Sequence, residues 1–400
     1  MWFGKKSVDE LREGLILDER YELQRRIAST FFSDVFEGTH RRTKQRVAIK
    51  ILRLDNLPKE ERQSMQARFQ REIAVYGRLH HPNLVRLIDT GEIGRFAVYI
   101  VLDFIEGYPL SEVLKREDRL GAFECKRLLS DCLDALSAGH VQGVVHRDFK
   151  PQNVMLTQTG SQRHAIVLDF GLAGATTAWQ SMAGRRVTRP GEVAGTVAYL
   201  APEQIQGEVT PQSDIYAWGL VYLECLTGWR VFTGDSAYEI VMKHMKEEVT
   251  IPEPIASHPL GTILRKATAR ELSDRYQSAA QVLDELRACS MCELENELEA
   301  AVEIPISELS PVAESKAHDK PAAAPLHSAV TRLYRSYLEM CQDQALPHPL
   351  SHEEFTAFLA RDAEARAHTL KGDTVRYWIQ LVNGEPRFFT SPPPDDVAKP

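Results

Sequence analysis

Two acidic clusters in the middle of the chain carry residue types that can do chemistry together. Asp148 lies in His146-Arg147-Asp148-Phe149-Lys150, directly after two valines, and Asn153 follows shortly. Asp169 follows the apolar run Ala165-Ile166-Val167-Leu168. Because an apolar run precedes each cluster, we expect both carboxylates at the ends of short buried strands. Carboxylate and amide oxygens in such positions can bind a divalent metal ion, while another carboxylate stays free to accept a proton.

The segment from Val144 to Gly171 resembles the catalytic loop and the metal-binding loop of protein kinases, in the order that this family uses. His-Arg-Asp alone is a weak signal because charged triplets are common in loops. Together with Lys150, Asn153 and Asp169-Phe170-Gly171 at the family's spacing, it is specific. The resemblance implies that Asp148 orients and deprotonates an acceptor hydroxyl and that Lys150 contacts the γ-phosphate of ATP. It also implies that Asn153 and Asp169 bind Mg²⁺, with Mn²⁺ as an alternative.

A buried lysine in the N-terminal part of the chain is expected to serve the same site. Val47-Ala48-Ile49-Lys50-Ile51-Leu52 has the pattern of a buried strand interrupted by one ammonium group, which needs a partner. We expect that partner to be Glu72, on a helix from Met65 to Tyr76. By resemblance, Lys50 grips the α- and β-phosphates of ATP and Glu72 holds Lys50. The alternative for Glu72 is a solvated charge on a helix surface.

The segment at the place of the kinase glycine-rich loop contains no glycine. With Val35 aligned on the valine that ends the family pattern, Ala28, Thr30 and Ser33 occupy the three glycine positions. Side chains limit how closely a loop backbone can approach a phosphate, so this departure counts against tight nucleotide binding. Without the strand of Lys50 downstream, the segment would be interpreted as an ordinary strand-turn-strand.

The remaining nucleotide contacts are implied by resemblance. The strand Val98–Ile105 resembles the one that leads into the hinge between two lobes, with Leu102 as the gatekeeper. The backbone of Asp103 and Ile105 would then bond the adenine ring. The residues expected to contact ATP are Ile27, Val35, Ala48, Lys50, Leu102, Asp103, Ile105 and Asn153.

The segment between Gly171 and Glu203 lies where a kinase carries its activation switch. Thr188 lies among arginines, upstream of Gly195-Thr196, where related bacterial kinases carry activating phosphothreonines. Arg147 would pair with a phosphate there and order the segment, whereas the alternative is an unmodified flexible loop.

Further residues have structural roles by resemblance. Thr196 would contact the catalytic loop, Asp214 would hold the backbone of that loop, and Arg275 would pair with Glu203 inside the large lobe. Thr196 and Lys150 also indicate serine or threonine, rather than tyrosine, as the acceptor.

Composition and charge limit the class of protein. The 400 residues are enough for a large two-lobed domain and a smaller one, and the net charge of −8 argues against a nucleic-acid binder. The six cysteines show no regular framework. Charged residues follow the start where a signal peptide would be apolar, and no apolar run is long enough to span a membrane. We therefore expect a cytoplasmic setting.

The predicted fold class is α+β: a bilobal protein-kinase fold, with a small β-rich N-lobe and a large helical C-lobe, plus a small C-terminal α+β module. Residues 1–20 would be a short polar lead-in and residues 21–288 the kinase domain. Residues 289–325 would be an acidic, Ala- and Pro-rich linker, with room for a frayed helix over Glu293–Glu303. Residues 326–400 would be an accessory module of unknown type, containing a β-hairpin over 374–390 and able to dock a partner or the kinase lobe.

The predicted function is that of a serine/threonine protein kinase that uses Mg-ATP, acts on protein substrates and phosphorylates its own activation loop. One alternative is a pseudokinase scaffold whose altered phosphate loop has lost turnover. Retention of Lys50, Glu72, Asp148, Asn153 and Asp169 counts against it. Another is a small-molecule kinase of the same fold. Gly195-Thr196 and Ala201-Pro202-Glu203, which form a peptide platform in the family, count against that alternative.

Overall fold

The computed structural model divides the chain into two units. It describes residues 11–30, 33–54, 59–94, 97–117, 119–160, 162–170, 197–234, 236–299, 302–305, 334, 337, 351–365, 374–382 and 385–391. The first unit comprises Met1–Leu120, Glu124–Val249 and Arg265–Ala288, and the second comprises Gly121–Phe123, Thr250–Leu264 and Cys289–Pro400. The first unit starts as a β-sheet and continues as mainly helical structure, as predicted. In the part of the chain that is described, no helix is both long and apolar enough to cross a bilayer.

A six-stranded antiparallel sheet forms the N-terminal part of the first unit, in the order β1-β2-β3-β4-β6-β5. Its elements are β1 Ile16–Leu17, β2 Tyr21–Ser29, β3 Ser33–His40, β4 Arg46–Arg53, α1 Lys59–Tyr76, β5 Leu87–Ile93 and β6 Ala97–Asp103. Val47, Ile49 and Ile51 of β4 are buried in one apolar cluster. Because successive residues of a strand face opposite sides of the sheet, Lys50 faces the side away from this cluster.

Ile16–Leu17, within the predicted lead-in, add a short edge strand to this sheet, and the domain boundary at residue 21 stays a prediction. β1 pairs antiparallel with the start of β2. Leu11 and Leu17 are buried in the same apolar cluster as β4. Charged residues separate these leucines in the sequence, so the segment has no strand periodicity of its own. It is ordered by burial against a sheet that later residues build.

The helical part of the first unit and its flanking segments follow β6. The elements are β7 Tyr108–Pro109, α2 Leu110–Glu117, α3 Ala122–Val141, β8 Val154–Thr159, β9 Gln162–Val167, α4 Pro202–Ile205, α5 Pro211–Thr227, α6 Ala237–Lys246, α7 Pro259–Ala267 and α8 Ala279–Ala288. α5 is buried along almost its whole length, so it is the central helix of this part, as its sequence predicts. In α3 the predicted packing positions Leu128, Cys132 and Leu136 are all buried.

A buried ion pair joins α4 to the chain before α8. The Arg275 guanidinium donates to the two carboxylate oxygens of Glu203 at 2.7 and 3.2 Å. The Ser213 hydroxyl donates to the same carboxylate at 2.7 Å. Both charged side chains are almost fully buried, so removing either one would leave an unpaired buried charge.

The C-terminal part of the second unit contains a three-stranded sheet and two helices. Its elements are α9 Cys292–Glu299, β10 Val302–Pro305, α10 His352–Ala365, β11 Thr374–Val382 and β12 Glu385–Ser391. β11 and β12 pair antiparallel, so the predicted hairpin is confirmed, while its turn at 383–384 lies outside the described residues. Phe355 is fully buried, with its ring 5.1 and 5.2 Å from those of Tyr334 and Tyr337. These three aromatic residues therefore pack against one another.

The start of the predicted linker contains regular secondary structure, unlike a flexible tether. α9 buries Leu294 and Leu298, which are one helical turn apart. β10 adds the third strand to the C-terminal sheet by pairing with β11. The helix α9 overlaps the stretch Glu293–Glu303 where a frayed helix was expected, whereas the strand β10 was not predicted. The domain boundaries at 289 and 325 stay predictions.

Glu295 of α9 supplies a cap that the first turn of α3 lacks. The first amides of a helix have no partner within it, and Gly121, before Ala122, has no side chain that could accept from them. The Glu295 carboxylate accepts from the amides of Ala122 and Phe123, the latter at 3.3 Å. A Cβ atom at Gly121 would lie 2.6 Å from Glu295 Oε1, so the glycine leaves room for the carboxylate.

This cap predicts a reversal of sign in a double-mutant cycle. Glu295→Ala should lower the free energy of unfolding by about 1 kcal/mol, because two amides lose their acceptor. Gly121→Ser alone should also destabilise, because its Cβ collides with the carboxylate. In the Glu295→Ala background the same serine should stabilise, because its hydroxyl can cap α3 from the preceding position. Thermal unfolding of the wild type, the two single variants and the double variant tests this. A double variant whose loss of stability equals the sum of the two single losses would contradict the prediction.

A buried histidine in α6 predicts a loss of stability in mild acid. His244 is fully buried, with Nδ1 2.9 Å from the Tyr216 hydroxyl. Burial lowers the pKa of His244 from 6.5 to about 4. The unfolded chain therefore binds the extra proton first as the pH falls below 6.5, and the folded state loses up to about 3 kcal/mol by the time the pH reaches about 4.

The control for this prediction is His244→Gln, which keeps a hydrogen-bonding partner for Tyr216 but does not titrate. The difference in melting temperature between the two proteins should change between pH 7 and pH 4, in the direction of a relatively more stable variant in acid. Parallel pH profiles would show that His244 does not carry the effect.

Candidate active site

Asp214, in the first turn of α5, holds the backbone of the predicted catalytic loop. Its carboxylate accepts from the amides of His146 and Arg147 at 2.7 and 2.8 Å, and it lies 2.8 Å from His140 Nε2. The Asp214 side chain is 1% exposed, so these bonds also provide its hydrogen-bonding partners. The loop that leads to Asp148 is thus attached to the most buried helix of the unit.

Lys150 and Asn153 converge on the carboxylate of Asp148. Lys150 Nζ lies 2.9 and 2.7 Å from the two carboxylate oxygens. The side-chain amide nitrogen of Asn153 donates to Asp148 Oδ2 at 3.1 Å and to its carbonyl at 2.8 Å. Since the nitrogen of Asn153 is used in this way, its amide oxygen is the atom left to bind a cation. The arrangement therefore places an anion, a cation and an amide oxygen side by side.

Asp169 is brought to the same place by backbone bonds of the residue before it. The Leu168 amide donates to the Asn153 carbonyl at 2.8 Å. The Leu168 carbonyl lies 2.8 Å from His146 Nε2. Phe170 is buried, with its ring edge-on to His146 at 5.2 Å, and a Cβ at Gly139 would lie 2.1 Å from that ring. Gly139 of α3 is therefore required for the close packing that holds the residue after Asp169.

Lys50 pairs with Asp169 and not with Glu72, which corrects the predicted pairing. Lys50 Nζ donates to Asp169 Oδ2 at 2.7 Å. Glu72 instead accepts from the guanidinium of Arg147, at the long distance of 3.5 Å. The sequence interpretation considered only Glu72 as the partner of Lys50, and the position of Asp169 in space brings it to Lys50 instead.

The carboxylate of Asp169 is ionised in this environment. Burial favours its neutral form, but the Lys50 ammonium at hydrogen-bond distance outweighs burial and holds the pKa of Asp169 below its usual value. An ionised carboxylate beside the amide oxygen of Asn153 is the kind of donor set that Mg²⁺ and Mn²⁺ bind. The residues present therefore fit a divalent metal ion.

Four of the residues predicted to contact ATP share one face of the N-terminal sheet. Val35 is paired with Lys50 across β3 and β4, and Ala48 is paired with Leu102 across β4 and β6. Residues directly opposite one another in antiparallel strands point to the same side, as do residues two apart in one strand. These four side chains thus form one continuous patch.

The remaining predicted ATP contacts lie at the borders of this patch. Ile27 of β2 is 46% exposed. The Asp103 amide donates to the Arg86 carbonyl at 3.0 Å, and its carboxylate accepts from the Arg86 guanidinium at 3.0 and 3.2 Å. The amide of Asp103 is therefore already used, which leaves its carbonyl for the predicted adenine contact. Ile105 follows the end of β6 and is half-buried.

Side-chain hydroxyls close the turn that lacks glycine. The Thr30 amide donates to the Ser33 carbonyl at 2.7 Å, and the Ser33 amide donates to Thr30 Oγ1 at 3.0 Å. The two hydroxyl oxygens are 3.1 Å apart. Two of the three positions that lack glycine thus stabilise the turn through their side chains.

One residue near the site was missed by sequence reasoning. Gln204 of α4 donates from Nε2 to the Arg147 carbonyl at 2.9 Å. Its only sequence signal is its position directly after Glu203, which does not by itself indicate a contact with the catalytic loop. Thr188 and Thr196 lie outside the described residues.

Comparison with known proteins identifies the family. Residues 21–288 match the protein kinase domain. The chain is 34% identical over 299 residues to the probable serine/threonine-protein kinase PknB of Corynebacterium glutamicum, covering 72% of this chain and 45% of that protein. It is 35% identical over 280 residues to the probable serine/threonine-protein kinase PknB of Lactococcus lactis, covering 68% of this chain and 42% of that protein.

A third relative is the serine/threonine-protein kinase PknA of Mycobacterium tuberculosis, which is 35% identical over 283 residues, 69% of this chain and 63% of that protein. The chain thus spans less than two thirds of the length of each of these relatives. The match nevertheless covers the whole stretch that holds Lys50, Asp148 and Asp169. By sequence match and by the fold of its first unit, this chain belongs to the protein kinase family.

Proposed function

We propose that the chain is a serine/threonine protein kinase that transfers the γ-phosphate of ATP to hydroxyl groups of protein substrates. The observation that carries the proposal is the convergence of Lys50 with Asp148, Asn153 and Asp169. Lys50, distant in the sequence, contacts Asp169, while Asn153 contacts Asp148 and accepts from the amide of Leu168, the residue before Asp169. The names of the relatives support serine and threonine as acceptors.

The proposed roles follow from the contacts of each side chain. Asp148 would accept the hydrogen bond of the substrate hydroxyl and take its proton as the oxygen attacks. Lys150, at 2.7 Å from that carboxylate, is positioned to neutralise charge on the transferred phosphoryl group. Lys50 would bind the α- and β-phosphates from the sheet face that it shares with Val35 and Ala48. Asn153 and Asp169 would hold Mg²⁺ or Mn²⁺, which offsets negative charge on the phosphates.

The ion pairs of the structure differ from those that transfer requires. In protein kinases the lysine must pair with the helix glutamate while the aspartate holds the metal. Here Lys50 binds Asp169 and Glu72 binds Arg147. We infer that Lys50 exchanges Asp169 for Glu72 before phosphate is transferred, which frees the Asp169 carboxylate for the metal ion.

A pseudokinase scaffold is the second candidate, and the turn without glycine is the observation that favours it. Thr30 and Ser33 place side chains where the family has none, which restricts the approach of phosphate. The intact set of Asp148, Lys150 and Asn153 contacts counts against it, because binding alone does not need a base.

We also propose a cytoplasmic setting and a docking role for the C-terminal module, residues 326–400. Five cysteines within the described residues are free thiols, as is usual in a reducing compartment. The three-stranded sheet that β10 completes is a folded element in addition to the kinase domain. A partner protein could bind to this sheet.

Two substitutions test the proposed reaction. Asp148→Asn should lower phosphate transfer by about 10²–10⁴-fold, because the base is lost, while ATP binding stays near that of the wild type. Lys50→Met should weaken both ATP binding and transfer. Transfer of labelled phosphate from Mg-ATP to a generic protein acceptor measures the first quantity, and calorimetry measures the second. Asp284→Asn, at an exposed position of α8, is the control and should behave as the wild type. A wild-type protein that binds ATP but transfers no phosphate would favour the scaffold.

Autophosphorylation at Thr188 is the next prediction. Among the described residues, Arg147 Nε has no hydrogen-bond partner, and Nη1 makes a long contact of 3.5 Å with Glu72. The guanidinium therefore has capacity to bind a phosphate. After incubation with Mg-ATP, mass spectrometry should find phosphate on Thr188, and Thr188→Ala should lower activity. Asp148→Asn serves as the unphosphorylated control. An active enzyme that is phosphorylated elsewhere but never at Thr188 would contradict this role.

A further inference from the structure

Arg147, the residue before the proposed base, has a backbone conformation that side chains disfavour. Its φ is +72°, in the left-handed region that glycine occupies readily and other residues rarely adopt. Such a conformation persists only where surrounding groups hold it in place. The question is therefore which groups hold Arg147.

Both backbone groups of Arg147 are bound by side chains from distant helices. Its amide donates to Asp214 at 2.8 Å, and its carbonyl accepts from Gln204 Nε2 at 2.9 Å. Asp214 belongs to the central helix α5, and Gln204 belongs to α4. The first bond is the expected one for Asp214, whereas the second assigns a partner to a residue that has had no role.

The orientation of the Gln204 amide is determined at both of its ends. Its oxygen accepts from the Ala201 amide at 3.1 Å, while its nitrogen donates to the Arg147 carbonyl. Exchanging the oxygen and the nitrogen would place donor against donor and acceptor against acceptor. The side chain thus links the start of α4 with the catalytic loop in one defined geometry.

The Arg147 carbonyl matters because it belongs to the peptide unit that carries Asp148. The peptide bond is planar, so fixing its carbonyl oxygen and its nitrogen fixes the plane and the starting direction of the next residue. Gln204 holds the oxygen, and the Asp148 amide on the same peptide donates to His146 Nδ1 at 3.3 Å. The direction in which the Asp148 side chain leaves the backbone is therefore held from both sides.

We propose that Gln204 is a positioning residue for phosphate transfer. By holding the Arg147 carbonyl, it aims the Asp148 carboxylate at the acceptor hydroxyl, and it ties the catalytic loop to α4, the helix that follows the segment containing Thr188. The role of Gln204 in catalysis rests on the proposed kinase function. Its effect on the order of the loop does not.

The simpler alternative is that Gln204 only caps α4, and two substitutions separate the two roles. Gln204→Glu keeps an oxygen that accepts from Ala201 but replaces the donor to Arg147 with a second oxygen. Gln204→Met removes both bonds. If Gln204 only caps α4, the glutamate variant keeps full activity and the methionine variant does not. If Gln204 positions the loop, both variants lose activity.

The first measurement is steady-state kinetics of the full chain with Mg-ATP and a peptide acceptor. Both variants should lower kcat about tenfold or more, because a small misplacement of a reacting group has an effect of that size. The KM for ATP should stay close to that of the wild type in both variants, and so should the melting temperature of Gln204→Glu, which keeps the acceptor for the Ala201 amide. Gln206→Glu, at an exposed position directly after α4, is the matched control and should change nothing. A Gln204→Glu enzyme with the kcat of the wild type would overturn the proposal.

The second measurement does not depend on activity. Hydrogen–deuterium exchange of the peptide covering residues 144–150 should be faster in both variants than in the wild type, with the rest of the first unit unchanged. If the wild type transfers no phosphate, the proposed kinase function fails, and this exchange alone decides whether Gln204 orders the loop. Unchanged exchange in the glutamate variant, or a loss of protection spread over the whole unit, would overturn the proposal.

Discussion

The buried carboxylate of Asp214 is the constraint on which the active site depends. A carboxyl group with 1% exposure is stable only if its oxygens are hydrogen-bonded, and here the amides of His146 and Arg147 meet that need. The hydrogen bonds that order the catalytic loop are therefore the same ones that stabilise the buried carboxyl group of α5. The bond from Gln204 extends the restraint to the Arg147 carbonyl, so a strained residue is held on both sides where the proposed base begins.

Two cations and two anions beside this loop can pair in more than one way. Lys50 with Asp169 and Arg147 with Glu72 is the arrangement of the structure. Pairing Lys50 with Glu72 instead would separate Asp169 from Lys50 and Arg147 from Glu72. A metal ion at Asp169 or a phosphate at Arg147 would each remove one present partner. Bound ligands can therefore select between the arrangements by competing for a single charged group.

At two places in the chain, hydrogen bonds from side chains stabilise a turn or a helix start that lacks the usual local sequence motif. The turn before β3 lacks glycine and is closed by the hydroxyls of Thr30 and Ser33. The start of α3 lacks a capping residue, and Glu295, far away in the sequence, accepts from its amides beside Gly121. Glu295, which lies after the matched kinase domain, thus stabilises the first turn of α3.

The sequence by itself determined most of the elements of the kinase domain and most of the side chains of the site. Alternation along β4 placed Lys50 opposite the apolar cluster, and the order of motifs placed Asp148, Asn153 and Asp169 in one region. The local pattern of residues 374–390 was enough to predict the hairpin. Such features follow from neighbours in the chain, because strand alternation and turns depend on a few adjacent residues.

Only the tertiary structure decided which charge pairs with which. It brought Lys50 to Asp169, placed Gln204 on the Arg147 carbonyl and buried Leu11 in the sheet. Each of these contacts joins residues far apart in the chain. The packing of sheet and helices sets the distances of a few ångströms that decide which residues make contact. No local pattern in the sequence specifies these distances.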